Sequence, residues 1–338
     1  ALAEQPGYPE AACVRANALF QLRRFEAALR AYDAAVAADA GMPEAHAGRG
    51  LALLKLGRAR EALACFETAL ALRPGHPASH RQRGEALLAL GERSQAIAAF
   101  GQARESARQA GQDAADIDFA LAALGVGAPP ERAPLVYVKA LFDQYAGHFD
   151  RHLTGVLDYR TPALIGAALA RHAGAAHLAT ADLGCGTGLC APFLRPLARS
   201  LAGVDLSARM LEQARATGLY DELARADIGA WLEARADDLD LVVAADVLVY
   251  FGPLETLFAQ VRRALRPGGW FCFSTEAIEA DAGPDHVLLP SSRYAHSPDY
   301  LRRLARERGF VTVEAERAVV RSEDGAGVAG HLLVLRAA

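Results

Sequence analysis

Leu178-Ala179-Thr180-Ala181-Asp182-Leu183-Gly184-Cys185-Gly186-Thr187-Gly188 decides how the larger part of this chain folds. The apolar run Leu178 to Ala181 reads as a strand, the glycines as a tight turn, and the pattern beyond them as a helix start. Such a turn brings backbone N–H groups close to a ligand, because glycine has no Cβ to block the approach. A second apolar run, Leu201-Ala202-Gly203-Val204, ends at Asp205. An acid at that point accepts hydrogen bonds from both hydroxyls of a ribose. The two features together predict a nucleoside-containing cofactor across the ends of two adjacent parallel strands.

The glycine spacing narrows the cofactor. A dinucleotide fingerprint is G-x-G-x-x-G, whereas Gly184, Gly186 and Gly188 follow G-x-G-x-G, with Leu189 where the third glycine would stand. Asp182 precedes the first glycine by two positions; it would repel a diphosphate but could face a cation. A ribose and a positive charge without phosphate describe S-adenosylmethionine, with S-adenosylhomocysteine as product.

From Asp182 onward the chain resembles a class I S-adenosylmethionine-dependent methyltransferase. Asp205-Leu206-Ser207-Ala208-Arg209-Met210-Leu211 resembles the second motif of that family, in which the acid takes the ribose and the Met-Leu pair starts a helix. Ala226-Asp227-Ile228 falls where the family places an acid against the adenine amino group. Leu239 to Leu248 resembles the fourth strand with its terminal acid, Asp246, and Leu265-Arg266-Pro267-Gly268-Gly269-Trp270-Phe271 resembles the turn into the fifth. The resemblance implies a Rossmann-like seven-stranded sheet of order 3-2-1-4-5-7-6, its last strand, His331 to Leu335, antiparallel. It also implies cofactor contacts from Asp182, Gly184, Cys185, Gly186, Gly188, Asp205, Leu206, Met210, Asp227, Ile228 and Asp246.

The first 125 residues carry an internal repeat. Pro43–His76 and Pro77–Ala110 align residue for residue: Gly50 with Gly84, Leu53 with Leu87, Ala62 with Ala96, Phe66 with Phe100, Ala69 with Ala103. One step earlier stand Ala16, Leu19, Ala28, Tyr32 and Ala35. The 34-residue period resembles the tetratricopeptide repeat, two antiparallel helices per unit. Three repeats, 9–42, 43–76 and 77–110, are expected, followed by a capping helix, so that 1–125 forms an all-α solenoid. Ala1 to Pro6 aligns with the end of a repeat, which predicts another repeat upstream. Asn17, Phe20, Gln21, Leu51, Leu54, Lys55, Arg81, Glu85 and Leu88 are expected to line the groove. The repeats either scaffold or dimerise the enzyme, or dock a protein, a peptide or a carrier-bound substrate.

Residues 126–135, with Pro129-Pro130, read as a linker, and 136–338 as the methyltransferase domain. Val138, Leu141, Phe142, Tyr145, Phe149 and Leu153 share one helical face over 136–153. By resemblance this helix covers the cofactor as a lid. Tyr145 and Phe149 would then lie over the methionine end, where an aromatic face attracts a sulfonium; the alternative is that the stripe packs on the sheet. Phe142 to Pro162 and Ser292 to Ser297 resemble a narrower group, predicted bacterial methyltransferases with tetratricopeptide repeats ahead of the catalytic domain.

Composition sets limits. A net charge of -4 over 338 residues gives no electrostatic reason to expect nucleic acid. Five cysteines without a C-x-x-C pair indicate neither a metal site nor a disulfide framework. With no signal peptide and no 18-residue apolar run, a cytoplasmic protein without a membrane partner is expected.

The acceptor site follows from chemistry. Methyl transfer is an in-line displacement at an already activated carbon, so positioning and exclusion of water do most of the work. Ligands of open α/β sheets sit beyond the carboxyl ends of the strands. That collects Asp246, Tyr250, Phe251 and Glu276, with His286, Tyr294 and His296 from the region before the last helix. His296, whose intrinsic pKa lies near neutrality, is the expected general base, with Tyr294 and Tyr250 beside it. The alternative for His296 is a hydrogen bond at the helix start. No Asn/Asp-Pro-Pro-Tyr run follows strand four, which disfavours adenine-N6 and glutamine acceptors. The expected activity is methyl transfer to an O, N or C nucleophile on a small molecule or on a polypeptide held by the repeats. The competing expectation is an interaction scaffold that binds the cofactor without turnover.

Overall fold

Pro9, Pro43 and Pro77 each stand at the first turn of a helix, where proline's missing N–H would have had no intrahelical partner. The computed structural model describes residues 8–146, 159–174, 177–278, 283–323 and 325–338. The chain divides into two compact units, Ala1–Ala128 and Pro129–Ala338.

The first unit is a row of helix pairs: α1 (Pro9–Gln21) with α2 (Phe25–Ala38), α3 (Pro43–Lys55) with α4 (Ala59–Leu72), and α5 (Pro77–Ala89) with α6 (Arg93–Gln109). A shorter helix, α7 (Ala115–Ala123), follows them. The repeated small residues have one physical role. A Cβ on Gly50 would stand 2.6 Å from the Phe66 ring, and one on Gly84 2.9 Å from Phe100. Phe66 and Phe100 therefore press on the backbone of α3 and α5, and Tyr32 of α2 presses likewise on Gly48 of α3. Ala28, Ala62 and Ala96 are fully buried at the same joint.

The second unit is a nine-stranded sheet covered on both faces. Its strands are β1 (Leu178–Leu183), β2 (Ala198–Asp205), β3 (Glu222–Arg225), β4 (Leu239–Ala244), β5 (Leu265–Ala277), β6 (His286–Leu288), β7 (Tyr294–His296), β8 (Phe310–Glu323) and β9 (Ala326–Ala337). β3-β2-β1-β4-β5 run parallel; β9 lies antiparallel against β5, and β8 against β9. These seven follow the expected order. The sheet departs from the expectation in two ways. The last strand is much longer than His331 to Leu335, and a short hairpin, β6–β7, adds two strands. Glu276 and Ala277, at the end of β5, pair in parallel with Ala295 and His296 of that hairpin.

Helices α9 (Thr161–His172) and α10 (Ala191–Leu194) cover one face, packing Ile165, Leu169 and Leu194 against Leu241 and Val334. Helices α12 (Ile228–Glu233), α13 (Glu255–Ala264) and α14 (Pro298–Glu307) cover the other, where Phe258, Phe271, Phe273 and Phe310 meet at 4.6–6.2 Å between ring centroids. The remaining helices are α8 (Leu135–Tyr145) and α11 (Ala208–Ala216). Burial on both faces suits parallel strands, whose central members read as unbroken apolar runs. Among the described residues, no helix is long and apolar enough to cross a membrane.

Two glycines of the first unit give opposite expectations. Gly50→Ala, pressed on Phe66, should destabilise by about 1–3 kcal/mol. Gly101→Ala, in α6 with nothing within 4 Å of its Cβ, should stabilise by about 0.5–1 kcal/mol. Urea titration followed by helical circular dichroism checks both.

Candidate functional site

The turn after β1 is held in a conformation that other residues rarely adopt: φ is +64° at Gly184, +55° at Gly186 and +95° at Gly188. A Cβ on Gly184 would also collide with Val247 Cγ2 at 2.4 Å. The Gly186 N–H donates to Asp205 Oδ2 at 3.0 Å and the Ser207 N–H to Oδ1 at 2.8 Å. The acid at the end of β2 is thus aimed along the glycine turn, its carboxylate oriented by backbone donors. Its lone pairs outnumber these two bonds, so it can still accept from a diol.

Beneath the turn lies Asp182, 1% exposed, whose Oδ2 accepts from the Tyr220 hydroxyl at 2.6 Å. Burial pushes its carboxyl up to about 7, against the lowering effect of the Tyr220 bond. Burial likewise raises Asp205, opposed by N–H bonds from Ser207 and Gly186. Burial holds the Cys185 thiol protonated, so Cys185 is a small wall residue and no nucleophile. Past β3, Asp227 caps α12 by accepting the Ala230 N–H at 3.2 Å, and its other oxygen accepts from Arg132 at 2.8 Å.

The end of β4 brings in a third acid. Asp246 sits at φ +54°, a left-handed position held from both sides by Ser274. Its N–H donates to Ser274 Oγ at 2.8 Å, and that hydroxyl donates to Asp246 Oδ1 at 2.9 Å. A non-glycine residue in this region costs on the order of 1–3 kcal/mol and persists only when its surroundings fix it. Asp246 Oδ2 is 3.6 Å from Arg321 Nη1. Arg321, from β8, also meets Glu276 and donates to Glu323 Oε1 at 2.7 Å. Arg293, just before β7, meets Glu323 too, and its Nη1 is 3.6 Å from Glu276.

Most of these groups line one cavity; Gly188, Ser207, Tyr220, Ala230, Ser274 and the two glutamates are not part of its lining. The cavity is roofed by the segment ahead of α8 and by α8 itself. The Gly252 N–H donates to Glu131 O and the Ala133 N–H to Tyr250 O, each at 2.8 Å. Phe142 meets Tyr250 edge-on with centroids 5.7 Å apart. Ser207 donates its hydroxyl to Asp143 at 2.6 Å, tying the end of α8 to the start of α11.

The cavity gathers Asp182, Gly184, Cys185, Gly186, Asp205, Leu206, Asp227, Ile228, Asp246 and Tyr250 from the expected set. Gly188 and the buried Met210 stand outside its lining. Phe149 lies outside the described residues. On α8 it is Leu135, Val138 and Phe142 that line the cavity, and Tyr145, nearly a turn further on, that is not part of the lining.

The expected base does not reach this cavity. His296 is fully buried, with Nε2 2.9 Å from Gly252 O and its ring stacked on Tyr300 at 6.1 Å. Burial drops its pKa to about 4, so it is neutral at physiological pH in a packed interior. Tyr294 is fully buried beside it and donates its hydroxyl to Pro130 O at 2.5 Å. Tyr250 lines the cavity, but burial pushes its phenol up to about 12, so it keeps its proton at physiological pH. Sequence reasoning missed Arg132, Tyr159, Arg293 and Arg321. An arginine before a strand or inside an edge strand carries no local motif; its relevance comes from strands meeting in space. Among the described residues, no group of three or more His, Cys, Asp or Glu side chains could hold a metal ion.

Comparison with known proteins agrees with this geometry. The methyltransferase-domain family matches residues 181–273, and the tetratricopeptide-repeat family matches 13–77 and again 47–111. The chain is similar to the ubiquinone biosynthesis O-methyltransferase of Thiobacillus denitrificans, 30% identical over 39% of this chain and 64% of the relative. It is also similar to the trans-aconitate 2-methyltransferase of Paracidovorax citrulli, 36% identical over 33% and 41%. A third relative is the malonyl-[acyl-carrier protein] O-methyltransferase of Enterobacter lignolyticus, 32% identical over 44% and 56%. The chain thus spans between 41% and 64% of the length of these relatives.

Asp182 gives a pH expectation for the ligand-free protein. Its folded-state pKa, about 7, lies above the unfolded value, so the folded form binds more protons between about pH 4 and 7. The stability it contributes therefore falls as pH rises through that window. Asp182→Asn, which carries no such titration, should gain in melting temperature over the wild type from pH 4.5 to 7.5. A difference independent of pH would contradict the assignment.

Proposed function

We propose that this chain, in which tetratricopeptide repeats precede a methyltransferase domain, is an S-adenosylmethionine-dependent methyltransferase whose cofactor lies across the carboxyl ends of β1 and β2. The observation that carries the reading is the donor set of the cavity. A backbone cradle without Cβ atoms faces three strand-end acids, Asp205, Asp227 and Asp246. Its cations, Arg132, Arg293 and Arg321, are each paired with a carboxylate. A diphosphate on the glycine turn would meet the carboxyls of Asp182 and Asp205 there. A ribose with a cationic centre fits instead.

In this reading Asp205 accepts the ribose hydroxyls, Ile228 and Leu206 sandwich the base, and Asp227 takes the adenine amino group beside Arg132. Asp182 and Asp246 carry negative charge toward the cationic end. When bound, the cofactor supplies a methyl group on a sulfonium: the C–S bond breaks, its electron pair returns to sulfur, and the acceptor's nucleophile forms the new bond. The protein's part is to hold the acceptor in line and keep water out; Val138, Phe142 and Pro162 form the dry wall for this. The acceptor is a small molecule, or a polypeptide brought by the repeats.

Calorimetric titration with S-adenosylhomocysteine tests the site. The wild type should bind, and Gly186→Arg should abolish binding by filling the cradle. Asp205→Ala should weaken it by at least about tenfold, the worth of one lost charge-assisted bond. Affinities unchanged in both variants would reject the site, and no binding by the wild type would reject the reading.

A further inference from the structure

The cavity wall beyond Asp246 carries a feature that cofactor binding does not use. Arg293 and Arg321 reach it from different strands and share Glu276 and Glu323, yet they are held differently. Arg321 has a side chain only 3% exposed and spends all three nitrogens: Nε on Glu323, Nη2 on Glu276, and Nη1 toward Asp246. It is the fixed post of the cluster. Arg293 has a side chain 26% exposed, and both of its ion pairs run through the single nitrogen Nη1. Tyr250 lines the same cavity. Neither glutamate engages the guanidinium as a fork.

We propose that Arg293 is the specificity-determining cation of the acceptor site, and that the acceptor is a small monocarboxylic acid with an apolar or aromatic body; this rests on the methyltransferase reading above. A planar guanidinium whose ion pairs run through one nitrogen can bind a planar carboxylate through two parallel N–H···O bonds, a match that neither an ammonium nor a neutral donor reproduces. The carboxylates behind Arg293 keep it charged and stationary, so the fork is oriented before a ligand arrives. The rest of the wall, including Val138, Phe142, Pro162 and Val249, is apolar and suits the body of such an acid. Charge selects the class of anion. Arg293 and Arg321 stand against Asp246, Glu276 and Glu323, two positive against three negative. With no net positive charge on this wall, a phosphate dianion is disfavoured against a single carboxylate. An amine acceptor drawn to Asp246 is the competing outcome.

The test is calorimetry on the full-length protein saturated with S-adenosylhomocysteine. The probes are 4-hydroxybenzoate and 4-hydroxycinnamate, the primary amide of each, and tyramine. Each acid should bind at least about tenfold more tightly than its amide, the effect of replacing a charge-assisted pair by a neutral one. Arg293→Met should erase that preference while S-adenosylhomocysteine affinity stays within about threefold, and Arg293→Lys should restore only part of it. The wild-type acid–amide comparison needs no variant to fold. Acids binding no better than amides, tyramine binding in preference, an acid preference that survives Arg293→Met, or no acid binding at millimolar concentration would each overturn the proposal. Failure of S-adenosylhomocysteine to bind the wild type would instead overturn the cofactor reading.

Discussion

A side chain on Gly184 would stand 2.4 Å from a methyl of Val247, and the rest of the cavity depends on that close approach. β1 and β4 are neighbours in the sheet, so the turn leaving one must pass the loop leaving the other. With no Cβ at 184, Val247 packs directly on the turn, and its predecessor Asp246 is pressed into the left-handed region. Ser274 on β5 then fixes Asp246 from both sides. Two residues along the same strand, Glu276 holds Arg321. One packing contact thus connects the cradle of the cofactor to the charged wall opposite it, through covalent neighbours and short hydrogen bonds.

Charge is concentrated in this cavity at a density that burial alone would not permit. An ionised group taken out of water without a partner costs several kcal/mol or more, and it shifts its pKa instead. Arg321 and Glu276, both nearly inaccessible, pair with each other, which removes most of that penalty. Asp182 has only a neutral phenol for company, and its carboxyl is the one pushed to about 7. The contrast separates two uses of a buried acid. One is held by an arginine, and the other lies beside a glycine turn with a phenol as its hydrogen-bond donor.

What could be read from the sequence was local. Gly184, Gly186 and Gly188 announce a turn because glycine adopts positive φ without the strain a side chain brings, and Asp205 follows at the spacing of one β–helix–β unit. The repeats were legible because the same packing recurs every 34 residues, with Pro9, Pro43 and Pro77 marking each start. The acceptor side was misread for an equally physical reason. Chain position correctly puts 293–296 near the strand ends, but side chains alternate along an extended segment. Tyr294 and His296 share the face that packs against Gly252 and Tyr300, and Arg293 has the face toward the cavity. Nothing local distinguishes those two faces, because the β6–β7 hairpin that orients them is defined by pairing with the end of β5. The same holds for Arg321, brought to the wall by its pairing with β9.

The two sides of the cavity are therefore built by different means. The side at the glycine turn is made of turns that follow parallel strands and carries the strand-end acids Asp205 and Asp227. The wall opposite is made of side chains on elements added beyond those turns: the hairpin after β5, the far part of β8, and the segment ahead of α8. Its pieces are tied together by ion pairs rather than by the sheet ladder alone. A change at Arg293 or Tyr250 alters the chemistry of that wall without touching the bonds that shape the glycine turn, whereas a change at Gly184 or Ser274 is felt on both sides. The two sides of the cavity are in this way separable in the sequence, although Asp246 stands where they meet.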